Sequence, residues 1–169
     1  MNDRLPDFFI AGAPKAGTTY LANVLGCHPD IFMPVTKEPA FFSRLSGHGH
    51  YERGWAFYRK NFYGAGDHQV IGEASTLYFH DPESAQLIHD AVPNARIVFV
   101  LRNPVDRVYS NYWQYIKSGF ALPPLDTLLE QGGERLEHML VVSNYPEHLQ
   151  RFVDTFGRDR VLILSQDEL

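Results

Sequence analysis

The stretch FFIAGAPKAGTT, residues 8–19, decides the fold that this sequence predicts. An apolar strand runs into a turn of glycine, proline and lysine, and two threonines then open a helix. In such a turn the backbone N–H groups and the positive end of the helix converge on one anionic group. Lys15 adds a full charge, and Thr18 and Thr19 add hydroxyl donors. The stretch therefore predicts a phosphate cradle, and the plainer alternative is an ordinary corner between a strand and a helix.

The cradle differs from the loop of nucleoside-triphosphatases, which requires a glycine, four residues, and then Gly-Lys-Ser/Thr. Gly12 and Gly17 have that spacing, but Thr18 stands where the lysine belongs, and the lysine lies inside the loop at Lys15. An enzyme that transfers or hydrolyses a γ-phosphate with the help of a metal ion would therefore lack its key lysine at this position. The loop instead predicts a site for a single phosphate, with a lysine beside its bridging oxygen.

Composition limits the class of protein and its partners. The chain has 169 residues, of which 44% are hydrophobic and 21% charged, as in an ordinary globular domain. Its net charge of −5 argues against a nucleic-acid partner, so an anion site must be built from local cations. Cys27 is the only cysteine, which excludes an internal disulfide. The polar N-terminus has no long apolar run, so we expect no signal peptide, no membrane span and, by default, a cytoplasmic location.

Apolar runs alternate with helical patterns along the chain, which predicts an α/β fold with a central parallel sheet covered by helices. In such a sheet ligands bind beyond the carboxyl ends of the strands, so the ends of the first three are expected to face one cleft. No linker is long enough to divide the chain into two domains. The predicted strands are Phe8–Ala13, Val70–Ala74, Arg96–Leu101 and Arg160–Leu164, and the predicted helices are Thr18–Cys27, Trp55–Phe62, Pro82–Ala91, Pro104–Lys117 and Glu147–Phe156.

A second anion site is predicted after the third strand. Arg102 stands at the strand end, and Arg107 and Ser110 lie three residues apart on the next helix, so that they share a face. The planar guanidinium of Arg102 and the hydroxyl of Ser110 can both donate hydrogen bonds to one phosphate. The alternative is an ion pair between Arg102 and Asp106, with the serine in solvent. Together the two anion sites fit a ligand with two separated phosphates on one nucleoside.

With these motifs the chain resembles the sulfotransferases that use 3′-phosphoadenosine 5′-phosphosulfate (PAPS), most closely the heparan-sulfate N- and O-sulfotransferase branch. GAPKAGTT at 12–19 is similar to that family's 5′-phosphosulfate loop, and RNPVDRVYS at 102–110 to its 3′-phosphate motif. KEPAFF at 37–42 and GEASTLYF at 72–79 are similar to its Lys-Glu-x-His-Phe-Phe and Glu-Lys-Ser-Pro-x-Tyr-Phe segments. The resemblance implies a P-loop-like three-layer fold and a soluble member of bacterial type.

Family members continue well beyond the length of this chain. Their later segment closes over the 3′-phosphate and the adenine. The resemblance therefore implies that residues 1–169 form a single sulfotransferase-like domain that is incomplete at its C-terminal side.

The resemblance also implies an enzyme that moves a sulfuryl group from PAPS to a hydroxyl or amine, with 3′-phosphoadenosine 5′-phosphate (PAP) as product. The acceptor would be a small molecule or a carbohydrate, and no metal is required. Glu38 falls at the position of the branch's catalytic base, and Lys15 would neutralise the charge that develops on the leaving phosphate. The cofactor-binding residues implied are Lys15, Ala16, Gly17, Thr18 and Thr19 for the 5′-phosphosulfate, and Arg102 and Ser110 for the 3′-phosphate.

Two departures from the family's segments bear on the acceptor. Ala40 replaces a common histidine, and Ala74 replaces a common lysine. A polyanionic chain would require more local cations, so these departures argue against a heparan-like acceptor.

Two other functions stay open, and each predicts a different observation. A nucleotide or small-molecule kinase on a related sheet would require magnesium. A non-catalytic domain would bind PAP without turning over PAPS. For Glu38 itself the alternative is a solvated loop charge paired with Lys37.

Several other residues are expected to be structural. We expect Cys27 to be a packed thiol at a helix end and positions 109, 112 and 116 to form a core stripe. No carboxylate or cysteine stands at ligand spacing near His48, His50 and His68, so no metal site is expected there.

Overall fold

The computed structural model describes residues 4–66 and 70–169. Over these residues one five-stranded sheet has the order β2-β3-β1-β4-β5, and all neighbouring strands are parallel. The predicted α/β architecture is confirmed. The strands are β1 (Phe8–Gly12), β2 (Ile31–Phe32), β3 (Val70–Ala74), β4 (Arg96–Leu101) and β5 (Val161–Ser165), and the α helices are α1 (Thr18–Gly26), α2 (Trp55–Arg59), α3 (Ser84–Ala91), α4 (Pro104–Lys117), α5 (Leu125–Gln131), α6 (Glu134–Val142) and α7 (Tyr145–Phe156).

The side chains of β1 supply both faces of the sheet, because successive residues of a strand point in opposite directions. Phe8 and Ile10 pack with Ala22 of α1 on one face. Phe9 and Ala11 join the main core on the other face. That core is largely aromatic, and its fully buried rings include Phe9, Phe41, Phe42, Tyr58, Phe79, Phe99 and Phe152. The layers place the carboxyl ends of β3, β1 and β4 side by side at one edge.

A smaller core holds α4 in place beside this edge. Val108 and Tyr112 of α4 pack with Leu128 of α5 and with Met139 of α6. The Asn103 side chain accepts a hydrogen bond from the backbone N–H of Val105 at 2.9 Å, and Pro104 occupies the first turn. This cap and proline start α4 where the sequence predicts.

The helix predicted from Pro82 begins instead at Ser84. Asp81 Oδ1 accepts the backbone N–H of Glu83 at 2.9 Å, and this bond closes a turn ahead of the helix. Likewise α7 begins at Tyr145, two residues before the predicted start at Glu147.

The sequence did not predict β2, α5 or α6. Pro123, Pro124, Gly132 and Gly133 lie outside the helices, and three of them flank helix ends. Pro124 precedes α5, Gly132 ends it, and Gly133 precedes α6. These short helices acquire their stability from packing on α4, which local sequence does not reveal.

Candidate active site

The loop between β1 and α1 depends on backbone conformations that glycine permits. Gly17 has φ +99° and immediately precedes α1, and Lys15 also has a positive φ of +68°. At Gly12 a Cβ atom would stand 2.6 Å from the Cβ of Phe79, so the chain passes closer to that ring than any other residue allows. The loop therefore turns tightly over the aromatic core immediately ahead of α1.

The first part of the candidate site is a cavity of about 420 Å³ at this edge of the sheet. Five residues implied by the family resemblance line it, namely Lys15, Gly17, Thr18, Thr19 and Glu38. Ala16 does not line it, because its side chain is fully buried. The tertiary structure thus brings Glu38 to the loop from a segment about twenty residues further along the chain.

The second part is a neighbouring cavity of about 310 Å³ that contains the other predicted anion ligands. Arg102 and Ser110 both line it, together with Lys117. Lys15 and Gln114 line both cavities, and the Lys15 Nζ donates to Gln114 Oε1 at 3.1 Å. The two cavities therefore form one continuous cleft, with Lys15 at the junction.

The cleft carries a surplus of positive charge although the whole chain is acidic. Burial lowers the pKa of Lys15, and the charges of Lys117, Arg102 and Lys37 lower it further. Among the described residues no side chain pairs with Arg102, so the alternative ion pair with Asp106 is not formed. Like charges held this close indicate a site that an anion would stabilise.

Glu38 lies at the wall of the first cavity and has several partners. Its Oε1 is 2.5 Å from the Lys37 Nζ and accepts from the Thr76 hydroxyl at 3.2 Å, while Oε2 accepts from the Thr76 backbone N–H at 2.7 Å. The Glu38 N–H donates to the Ala74 carbonyl at 2.9 Å. The ion pair with Lys37 considered from the sequence is formed, but the carboxylate is fixed in the cavity and is not a freely solvated loop charge.

Two buried polar residues, Glu73 and Ser75, lie at the end of β3, next to the segment that follows Glu38, and Ser75 bonds to that segment. Glu73 is fully buried, and its burial raises its pKa to about 7. The Tyr58 hydroxyl donates to Glu73 Oε2 at 2.5 Å. The Ser75 hydroxyl accepts from the Ala40 N–H at 2.9 Å, which ties the segment to the end of β3. Since Glu38 and Ala40 both have positive φ, these bonds hold a conformation that the free chain would rarely adopt.

Arg107 does not share the cleft with Ser110, contrary to the expectation from their spacing. Its guanidinium is fully buried and donates to the Ser143 hydroxyl at 2.8 Å, to Asn111 Oδ1 at 3.0 Å and to the Met139 carbonyl. Three residues along a helix leave an angle of about 60° between the side chains, and the long arginine turns toward α6.

The sequence reasoning missed Lys37, Thr76, Gln114 and Lys117 as members of the site. The positions 110, 114 and 117 follow each other by four and three residues and so mark one face of α4, a signal that was present in the sequence. Thr76 gives no such signal, because its contribution includes a backbone N–H.

Other expectations were wrong for residues near the surface. Cys27 is exposed and not packed. Of the predicted core stripe, Tyr112 and Ile116 do pack in the smaller core, but Tyr109 is exposed and lines the second cavity with Trp113. His68 lies outside the described residues.

Within the described ranges no group of three His, Cys, Asp or Glu side chains is placed to hold a metal ion. In the same ranges no helix is both long and apolar enough to cross a membrane.

Known proteins that are similar to this chain over nearly its whole length belong to the family that the sequence motifs resemble. The profile of the sulfotransferase domain matches residues 5–169. The chain is 31% identical over 170 residues to the human protein heparan sulfate glucosamine 3-O-sulfotransferase 6, a match that covers 98% of this chain and 48% of the relative. It is 28% identical over 176 residues to bifunctional heparan sulfate N-deacetylase/N-sulfotransferase 1 of Caenorhabditis elegans, with 98% and 20% covered.

Solved structures agree with this assignment. A crystal structure of a sulfotransferase from Alicyclobacillus acidocaldarius has a TM-score of 0.85 and 33% identity, covering 98% of this chain and 74% of that chain. The sulfotransferase domain from the curacin biosynthetic pathway, at 16% identity and a TM-score of 0.63, shares the fold. The chain spans about half the length of the human relative. On the family profile and these similarities, the chain belongs to the sulfotransferase domain family.

Proposed function

We propose that the cleft binds PAPS and transfers its sulfuryl group to a hydroxyl or amine acceptor. The observation that carries the proposal is the continuous cleft, in which four cationic side chains surround two connected cavities and one carboxylate lies at the wall. Family membership supports sulfuryl transfer as the reaction. We also propose that residues 1–169 belong to a single domain, because all five strands share one sheet.

The donor set of the cleft fits a ligand with two separated phosphate groups. In the first cavity, Lys15 lies in the loop before α1, and Thr18 and Thr19 open the helix, where backbone N–H groups and the helix dipole favour an anion. In the second cavity, the Arg102 guanidinium and the Ser110 hydroxyl offer hydrogen bonds to another phosphate. We assign the 5′-phosphosulfate to the first cavity and the 3′-phosphate to the second.

The chemistry follows from the positions of Lys15 and Glu38. PAPS, when bound, supplies the sulfuryl group and a phosphate leaving group. The acceptor's O–H or N–H proton passes to the Glu38 carboxylate, the acceptor atom forms a bond to sulfur, and the bond between sulfur and the phosphate oxygen breaks. Lys15 stabilises the negative charge left on that phosphate. Thr76 keeps the carboxylate oriented through its backbone N–H, and the Lys37 ammonium pairs with it.

Calorimetric titration with PAP, in buffer without magnesium, tests the donor site. We expect binding by the wild type and a loss of about ten- to a hundredfold in affinity for Lys15→Ala and Arg102→Ala, because each removes charged hydrogen bonds to a phosphate. Arg96→Ala is the matched control, since Arg96 is an exposed arginine at the opposite end of the strand that leads to Arg102. Lys60→Ala, also exposed, serves the same purpose for Lys15.

Other outcomes of this titration would identify the alternatives. Binding of ATP that requires magnesium, with no binding of PAP, would support a kinase. Binding of PAP without transfer from PAPS to any acceptor would support a non-catalytic PAP-binding domain. Equal losses in the Arg96→Ala control would show that general electrostatics, and not the cleft, attracts the nucleotide. The cytoplasmic location expected from the sequence stays a prediction, which fractionation of the source cells would test.

A further inference from the structure

A third cavity, of about 400 Å³, opens beside the cleft, between the second half of α1 and the segment that leads to Lys37. The side chains of Asn23 and Thr36 add polar groups to its wall, and its apolar lining residues are Ala22, Gly26, Met33, Pro34, Val35 and Ala74. The Val35 side chain is fully exposed at its rim. This volume lies within the usual range for small-molecule pockets, of about 300–1,000 Å³.

The third cavity adjoins the catalytic end of the cleft. Lys37 lines both the third cavity and the first cavity of the cleft. The carbonyl of Ala74 accepts the N–H of Glu38 at 2.9 Å. The Lys37 side chain, which pairs with the Glu38 carboxylate, is therefore a wall common to the third cavity and the cleft.

The charge of the third cavity differs from that of the cleft. Among the described residues that line it, Lys37 alone is charged, and its ammonium is paired with Glu38 at 2.5 Å. The remaining cations, Lys15, Arg102 and Lys117, line the cleft. A polyanion would find no uncompensated cation among the lining residues that the structure describes, whereas an uncharged ligand with an apolar body would bury apolar surface against them.

We infer that the third cavity holds the acceptor, and that the acceptor is an uncharged small molecule with an aromatic or alkyl body and a hydroxyl group directed to Glu38. This inference rests on the proposed function, since it supplies the acceptor for that reaction. The hydroxyl proton passes to the Glu38 carboxylate as the hydroxyl oxygen bonds to sulfur and the phosphate departs. Two relatives of this chain are named for heparan sulfate, which is a polyanion. The uncharged acceptor inferred for this chain would therefore belong to a different chemical class.

Cys27 provides a reporter for occupancy that does not depend on catalysis. It is the only cysteine of the chain, it is exposed, and it lines the third cavity. The rate at which it reacts with 5,5′-dithiobis(2-nitrobenzoate) can be followed by absorbance. The probe ligands are 2-naphthol, as an uncharged aryl alcohol, and a heparan sulfate oligosaccharide, as a polyanion.

In PAP-loaded protein, we expect 2-naphthol at ten times its Kd to slow the reaction of Cys27 about tenfold, because only unoccupied protein reacts. The oligosaccharide is expected to leave the rate unchanged, and so is PAP alone, which lies in the cleft. Asn23→Trp places a large ring at the cavity from an exposed position of α1 and should abolish the protection by 2-naphthol. Val24→Trp is the matched control, since Val24 is exposed on the same helix and does not line the cavity.

Three results would overturn the inference. The first is protein that binds PAP in calorimetry but shows no protection by 2-naphthol. The second is protection by the oligosaccharide in place of 2-naphthol. The third is equal protection in Asn23→Trp and in wild type. Loss of PAP binding in calorimetry would instead count against the proposed function, so the two failures are distinguishable.

Discussion

Arg102 and Arg107 lie five residues apart in the sequence, but their guanidinium groups have different surroundings in the structure. Arg102 follows β4, lines the cleft and pairs with no side chain among the described residues. Arg107 is fully buried beneath α6, with Ser143, Asn111 and Met139 as acceptors. Residue type and motif are the same, so the difference comes from what packs around each guanidinium. An unpaired arginine at a strand end is available to a ligand, and a saturated buried one stabilises the fold.

Two carboxylates repeat this contrast. Glu38 lies at the wall of the cleft, with a side chain that is 38% exposed. Glu73 is fully buried behind it, with the Tyr58 hydroxyl at 2.5 Å. The cleft residues should therefore affect binding and rate, and the buried residues should affect the free energy of unfolding.

The largest expected effect is on the rate, from Glu38→Gln. This change removes the proton acceptor, and we expect the transfer rate to fall by about 10²–10⁴-fold. PAP affinity and the unfolding midpoint should stay close to those of wild type. The measurement is single-turnover transfer from PAPS to an accepted alcohol, together with calorimetry. A rate within a few fold of wild type would remove Glu38 from the role of base.

The next effect is on stability, from Arg107→Ala. Truncation removes the hydrogen bonds to Ser143, Asn111 and Met139 and creates a cavity, so we expect the free energy of unfolding to fall by about 3 kcal/mol or more. Arg102→Ala should change it by about 0.5 kcal/mol or less, since its side chain is partly exposed. Urea denaturation of both variants gives the comparison. Similar losses in the two variants would contradict the division between cleft and buried arginines.

The buried carboxylate predicts a dependence of stability on pH. Folding raises the pKa of Glu73 from 4.5 to about 7, so its contribution is fully present below pH 4.5 and is lost as the pH rises through 7. Glu73→Gln stays neutral, and we expect the wild type to lose about 2 kcal/mol relative to this variant between pH 5.5 and 8.5. Parallel stability curves for the two proteins across this interval would show that Glu73 does not titrate near neutral pH.

The smallest effect concerns Lys117, an exposed cation of the second cavity. For Lys117→Ala we expect PAP affinity to fall only a few fold at low salt, and by less at about 0.5 M salt, because solvent ions screen exposed charges. Calorimetry at two salt concentrations measures this. A loss as large as that of Arg102→Ala, and insensitive to salt, would place Lys117 in direct contact with the phosphate.

Much of the fold and of the candidate site could be predicted from local sequence. The apolar run before the Lys15 loop, the continuous run of β4 and the Asn103-Pro104 cap each carry their signal within a few residues. The helices α5 and α6 could not be found in this way, because they are short and depend on packing against α4. Thr76 was missed as a partner of Glu38 because one of its two contacts is made by the backbone.

The sequence by itself determined the parallel α/β sheet, the loop after β1 and the residue types at the strand ends, because strand and helix periodicity and glycine turns are local properties. Only the tertiary structure decided which charges are free and which are paired. Over the part of the chain that the structure describes, it brought Glu38 to the cleft, left Arg102 without a side-chain partner, buried Arg107, and lined the third cavity with no uncompensated charge. The physical reason is that burial and pairing depend on neighbours distant in sequence, and these set the charge that each group presents to a ligand.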